Sequence, residues 1–202
     1  RVDAYDLTII MNYGYYGQLQ QFPEAKALLR RTVTTEGVVG YAKGQALNML
    51  VQQRGKEEAA LLRAVLRNEA RAADFPDLFK PGEKPDKVVS LGADSVVTTV
   101  WWARNPNNGQ GDQHNVLLKD LALAYLVVQA GETLRGYGFD TQPGNPGFVP
   151  QPSNYGSYAF TSDEKRTAAF VKYGWHQLKQ DIKAGPPRRQ PGEFPFFLLP
   201  KP

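Results

Sequence analysis

His114, His176, Asp120 and the tyrosines are the side chains of this sequence whose types and neighbours suit acid–base or metal chemistry. A zinc site needs several convergent His or Cys ligands. The chain has two histidines, well separated, and no cysteine. Structural or solvent-exposed histidines are therefore expected, with no metal and no cofactor. Asp120 stands inside the apolar run Leu117-Leu118-Lys119-Asp120-Leu121-Ala122. A buried carboxylate with a raised pKa can act as a general acid or base. Structural networks perturb carboxylates too, and the expected role is an ion pair or hydrogen-bonded anchor for a neighbouring loop such as that of Tyr137. An enzyme would need Asp120, His114 and a tyrosine in one pocket.

Other reaction signatures are missing. The sequence has no G-x-S-x-G elbow, no P-loop and no G-x-G-x-x-G fingerprint. Gly136-Tyr137-Gly138 is too short for a nucleotide site and fits a tight turn after a helix. No catalytic residue is assigned, and a non-enzymatic protein is expected. Contact chemistry is better represented. Trp101, Trp102 and Arg104 precede an asparagine-rich loop, and aromatic residues and arginine are the usual anchors of interfaces. They could equally stack on sugars or bases. On a strand the two tryptophans point to opposite faces, so one can belong to the core.

Arg30-Arg31 and Arg188-Arg189 suggest a basic patch, but interspersed acidic residues favour a solvated surface. Lys and Arg number 24 against 20 Asp and Glu, a net charge of +4. That excess is small for a nucleic-acid binder, so protein subunits are the expected partners. Hydrophobic residues are 42% and charged residues 22% of the 202, an ordinary globular balance. No apolar run approaches the roughly 18 residues of a membrane span, which leaves peripheral association with a membrane complex open. No signal peptide is visible, and a start at Arg1 suits a processed or excised segment. A chain without thiols is at home in either redox environment; an extracytoplasmic location is favoured over a cytoplasmic one.

The elements that would position these residues are mainly helices. Residues 4 to about 20 suggest the first, and Pro23 suits the first turn of the next. Val38, Val39, Ala42, Ala46, Leu47 and Leu50 share one helical face. Lys56 to Ala73 predicts an amphipathic helix with Leu61, Leu62, Val65 and Leu66 inward. Residues 74 to 113 break the pattern. There, Lys87 to Leu91 and Ser95 to Trp102 predict two short strands that can pair as a hairpin. Helix resumes from about Asn115 to Ala130, ending at Gly131. Residues 136 to 160 suggest an irregular packed loop. Thr161-Ser162-Asp163-Glu164 has a capping-box pattern ahead of a final helix to about Lys183.

Gly185 to Pro202 holds six prolines, which rule out helix or central strand. Its apolar part, Phe194-Pro195-Phe196-Phe197-Leu198-Leu199-Pro200, is a candidate partner-binding segment. Proline-rich chains lose little entropy on docking, and the aromatics supply burial. Docking of this tail on its own domain is the alternative.

Several stretches resemble a largely uncharacterised family of HEAT-like helical-repeat modules common in planctomycete proteins. They are Ala42-Lys-Gly-Gln-Ala-Leu-Asn-Met-Leu-Val-Gln-Gln-Arg-Gly-Lys-Glu57 with Leu61-Leu62 and Leu66; Val97-Thr98-Thr99; Leu118 to Gly131; and Tyr137-Gly-Phe139 with Phe160, Asp163 to Phe170 and Trp175. The resemblance spans about residues 10 to 180. It implies a helical scaffold and no reaction. The expected fold is mainly α, a HEAT-like antiparallel helical stack with a short β-hairpin insertion and a proline-rich tail. The expected organisation is a helical domain over 1–184 with an insertion at 74–113, then an extended tail over 185–202. A scaffold or accessory subunit of a larger assembly follows, with Trp101, Trp102, Arg104, Phe194, Phe196, Phe197, Leu198 and Leu199 as its candidate contact residues. The alternative is a carbohydrate or small-ligand module using exposed aromatics, among them Trp101, Trp102 and the loop Tyr155 to Tyr158.

Overall fold

In a computed structural model of the chain, residues 3–12, 24–102, 111–141 and 147–184 are described. The first helix, α1, is Ala4–Asn12 and buries Leu7 and Met11. Helix α2, Ala25–Thr34, buries Ala25, Leu29, Thr32 and Val33. It packs on α3, Gly40–Arg54. Helix α3 also touches α1, and it buries Ala42, Lys43, Gly44, Ala46, Leu47, Met49, Leu50 and Val51. That set covers far more than the single apolar stripe of a surface helix, as a central position demands.

A 3-10 turn, Gly55–Glu58, leads into α4, Ala59–Arg67. Leu61, Leu62, Ala64 and Val65 point inward while Arg63 and Arg67 face solvent. The helix expected from 56 to 73 therefore stops early. Asn68 takes left-handed backbone (φ 59°) and caps it. The Asn68 Oδ1 then accepts a bond from the Ala93 N–H at 2.8 Å. Residues that follow this cap form β1, Glu69–Arg71, antiparallel to β2, Val88–Ser90.

The expected hairpin is also rearranged. Strand β2 pairs with β1, whereas β3, Val96–Trp101, pairs with β4, Gln113–Leu117. The reason lies in the turn between β2 and β3. Its backbone is committed to the start of the next helix: Leu118 N–H donates to the Ser95 carbonyl at 2.9 Å and Lys119 N–H to the Ala93 carbonyl at 3.0 Å. Helix α5, Leu118–Gln129, accordingly begins three residues later than expected. All its residues from Leu118 to Val127 except Lys119 are buried. Strands β5 (Asp140–Thr141) and β6 (Tyr158–Ala159) form a third pair, and α6 runs Asp163–Ala184. Ser162 rather than Thr161 precedes α6 as its cap, accepting from Lys165 N–H at 3.3 Å. Thr161 instead donates to Asp140 at 2.6 Å.

The described residues thus hold six α-helices and three separate two-stranded antiparallel sheets. This mixed α/β arrangement corrects the expected HEAT-like helical stack. In a repeat stack each helix pair contacts only its neighbours. Here β3 lies directly on α3, in contact with the same helix that meets α1, α2 and α5. Two glycines permit that approach. A Cβ on Gly40 would sit 2.2 Å from the Val96 carbonyl oxygen, and one on Gly44 would sit 2.2 Å from Val97 Cγ1. The segment between α4 and α5 contributes Phe75, Leu91, Ala93, Val97 and Val100 to the same core as the helices.

Candidate functional site

Asp120 occupies the first turn of α5 and is 1% exposed. Its Oδ2 accepts the Leu117 N–H at 2.9 Å. Arg166, in the first turn of α6, donates from Nε to Oδ1 at 3.0 Å and to Oδ2 at 3.2 Å. The same guanidinium donates to Asp163 and, at 3.1 Å, to the Asn115 carbonyl, and lies over the Phe160 ring. Burial raises the Asp120 pKa above the ordinary aspartate value, while the Leu117 N–H, Arg166 and Lys119 pull it back down. Both carboxylate oxygens are therefore occupied by groups that tie α6 and strand β4 to α5. The partner is Arg166 on the last helix, not the Tyr137 turn.

His114 points elsewhere. It lies opposite Val100 in the β3–β4 pair, and its ring centroid is 4.4 Å from that of Trp102. Tyr125 donates its hydroxyl to Asn48 on α3, and Tyr158 donates to the Pro152 carbonyl at 3.5 Å. Burial holds both phenols well above the ordinary tyrosine value. His176 sits on α6 with Nε2 2.7 Å from Gln180 Nε2. Among the described residues no three His, Asp or Glu side chains converge in a way that could hold a metal ion.

The tryptophans divide as strand geometry requires. Trp101, the last residue of β3, is 59% exposed. Trp102 is half-buried against the core with its ring tilted 54° to that of His114, and its buried indole nitrogen has no hydrogen-bond acceptor among the described residues. The tyrosine-rich loop does not join them as an open surface. Tyr155 and Tyr158 are both buried, and Phe139 meets Tyr158 edge to face at 5.3 Å. Arg104 and the tail residues Phe194, Phe196, Phe197, Leu198 and Leu199 lie outside the described residues.

A larger exposed apolar feature lies on α6. Ala169 and Tyr173 form its buried side. Val171, Trp175 and Leu178, spaced i, i+4 and i+7, are 55%, 61% and 47% exposed. At 3.6 residues per turn these three fall together on the opposite side of the helix from Ala169 and Tyr173. The sequence carries the signal for this face, because two apolar stripes on one helix cannot both meet the same core. It carries no sign of which stripe faces out.

Two of the recesses among the described residues lie beside helices α2 and α3. One, of about 660 Å³, lies between α2 and the segment 77–89, lined by Leu28, Arg31, Leu78, Phe79 and Lys80 among others. A smaller one, of about 300 Å³, lies where the loop before α3 meets the β2–β3 turn. No helix among the described residues is long and apolar enough to cross a membrane. Comparison with protein-family models, with curated proteins and with solved structures finds no match to the chain.

Proposed function

We propose that this chain is a non-catalytic interaction protein, a scaffold or accessory subunit of a larger protein assembly. The observation that carries the reading is the outward stripe Val171–Trp175–Leu178 on α6. Apolar residues at i, i+4 and i+7 are the anchors by which an amphipathic helix seats in a partner's groove. Tryptophan is the residue most enriched among such anchors. The Asp120–Arg166 pair fixes the start of the helix on the core, so the stripe is presented from a held base. The apolar tail from Phe194 to Leu199 is the second contact segment in this reading.

The test is the mass of the native assembly isolated through a tag on this chain from the cells that make it. Stoichiometric companions with the unaltered chain, lost with Trp175→Ala plus Leu178→Ser, are expected. Removal of residues 186–202 should weaken the assembly in the same assay while the helical circular dichroism stays. A monomer in every case would reject the proposal.

A second reading rests on Trp101. An exposed indole on a strand end, beside the half-buried Trp102, suits stacking on a sugar ring. Tryptophan fluorescence titrated with diverse glycans should respond in the wild type and lose that response in Trp101→Ala. A flat titration across the panel removes this reading.

A further inference from the structure

Lys43 is 2% exposed, on a helix otherwise buried through alanine, leucine and methionine. Lysine is almost never fully buried unless paired. Its Nζ donates to the Leu91 carbonyl at 3.0 Å. That carbonyl is the one hydrogen-bond partner it has among the described residues, and Glu36 acts on it through charge alone. An amine nitrogen has capacity for more than one partner, and Lys43 is also one of the residues that line the smaller recess. Glu36, Val38, Lys43, Ser90, Gly92 and Ser95 line this cavity of about 300 Å³, at the lower end of the size range of small-molecule sites.

Gly92 stands in the wall of this cavity. Its backbone is left-handed (φ 64°), and a Cβ there would stand 3.1 Å from Lys43 Nζ and 3.1 Å from Ser95 Oγ. Gly92 thus brings the Lys43 amine and the Ser95 hydroxyl close to the same stretch of backbone, and all three residues line the one cavity. A structural lysine would need only the Leu91 carbonyl. It would need neither the cavity nor the second polar group across the glycine.

We propose that Lys43 is a nucleophilic amine that captures the carbonyl carbon of a small aldehyde admitted to this cavity, with Ser95 donating to the carbonyl oxygen. The Nζ lone pair forms the C–N bond, the carbonyl π pair moves to oxygen, and oxygen gains a proton as nitrogen loses one. The carbinolamine then loses its hydroxyl and the second nitrogen proton together as water, leaving a C=N bond. No oxidant or reductant takes part. Burial favours the uncharged amine that this attack needs, against the opposing charge of Glu36. The inference stands independently of the interaction role proposed above.

The full-length wild-type chain would be incubated with glycolaldehyde and cyanoborohydride, the latter reducing any imine to a stable secondary amine. Peptide mass mapping then gives the rate of adduct formation at each lysine. Lys43 should react several-fold faster than the exposed Lys179 and Lys183, because its desolvated amine is more often uncharged. Ser95→Ala should slow the adduct at Lys43 and leave the rates at Lys179 and Lys183 unchanged. A Lys43 that stays unlabelled, or reacts no faster than those surface lysines, overturns the proposal. An unaltered Lys43 rate in Ser95→Ala removes the hydroxyl from it.

Discussion

Arg166 donates from one nitrogen, Nε, to both carboxylate oxygens of Asp120, at 3.0 and 3.2 Å, across 46 residues of sequence. Only 15% of the arginine side chain and 2% of the aspartate side chain reach solvent. Removing one member of a buried pair leaves the other charged and unpaired, which costs about 3–5 kcal/mol. Arg166→Leu is therefore expected to lower unfolding stability by that amount in urea. Replacing both, as Asp120→Asn with Arg166→Leu, should recover part of the loss, because the asparagine oxygen still accepts the Leu117 N–H. Strict additivity of the two single changes would show that the pair is not coupled.

Gly40 and Gly44 offer a test of the contact between α3 and β3. Helix propensity alone predicts that Gly→Ala at either site gains about 1 kcal/mol. The opposite is expected here, a loss of about 1–3 kcal/mol from forced overpacking. The two sites differ in what they strike. At Gly44 the obstacle is the Val97 side chain, so adding Val97→Ala to Gly44→Ala should restore part of the urea midpoint. At Gly40 the obstacle is the Val96 backbone carbonyl, and no side-chain truncation should help. Equal rescue at both glycines would contradict this packing.

Burial of Lys43 ties stability to pH in a defined direction. Desolvation lowers its folded-state pKa below the ordinary 10.5, with Glu36 opposing. Between the lowered value and 10.5 the unfolded chain binds more protons than the folded one, so stability rises with pH through that window. Below the window the penalty for the buried charge is fully in force. Lys43→Met abolishes this titration. Wild type should gain stability relative to Lys43→Met between pH 7 and a pH of about 10, near the ordinary lysine value. Parallel urea midpoints at the two pH values would show that the amine is not desolvated.

The outward stripe of α6 makes the contrasting prediction. Surface changes away from special features stay within about 0.5 kcal/mol. Trp175→Ala and Leu178→Ser should each leave the thermal midpoint of the isolated chain nearly unchanged. A loss of about 2 kcal/mol, typical of core truncation, would mean that these side chains pack inside.

Much of the helical content was legible from spacing. Leu61, Leu62 and Val65 mark the inward side of α4, and Ser162 lies inside the expected capping pattern. The strand Val96–Trp101 was visible through its β-branched run. Its partner was not, because pairing with Gln113–Leu117 is set by where the turn at Ala93–Ser95 finds hydrogen bonds, on the start of α5. Strand β1 is written in Glu, Ala and Arg, residues that suit a helix; only the left-handed Asn68 before it diverts the chain. These non-local choices turned an expected helical stack into a mixed fold.

At the candidate sites, local and distant information divide in the same way. The sequence favoured an anchoring role for Asp120, but its partner lay a whole helix away. Lys43 sits in the run Ala42-Lys43-Gly44 with nothing local to mark it as buried. Val171, Trp175 and Leu178 are apolar residues on a periodic helix, and apolarity alone does not say which side is in.

Helix α6 is braced unevenly, and this has a kinetic consequence. Arg166, Ala169 and Tyr173 fix its first half, whereas beyond Gln177 its described side chains face solvent. Its later amide protons should therefore exchange with solvent through fraying of the last turns, long before the core opens. Anything that settles on Trp175 and Leu178 has to halt that fraying. Hydrogen exchange along this one helix would then register an occupant, and show how far along the helix it reaches, without its identity being known beforehand.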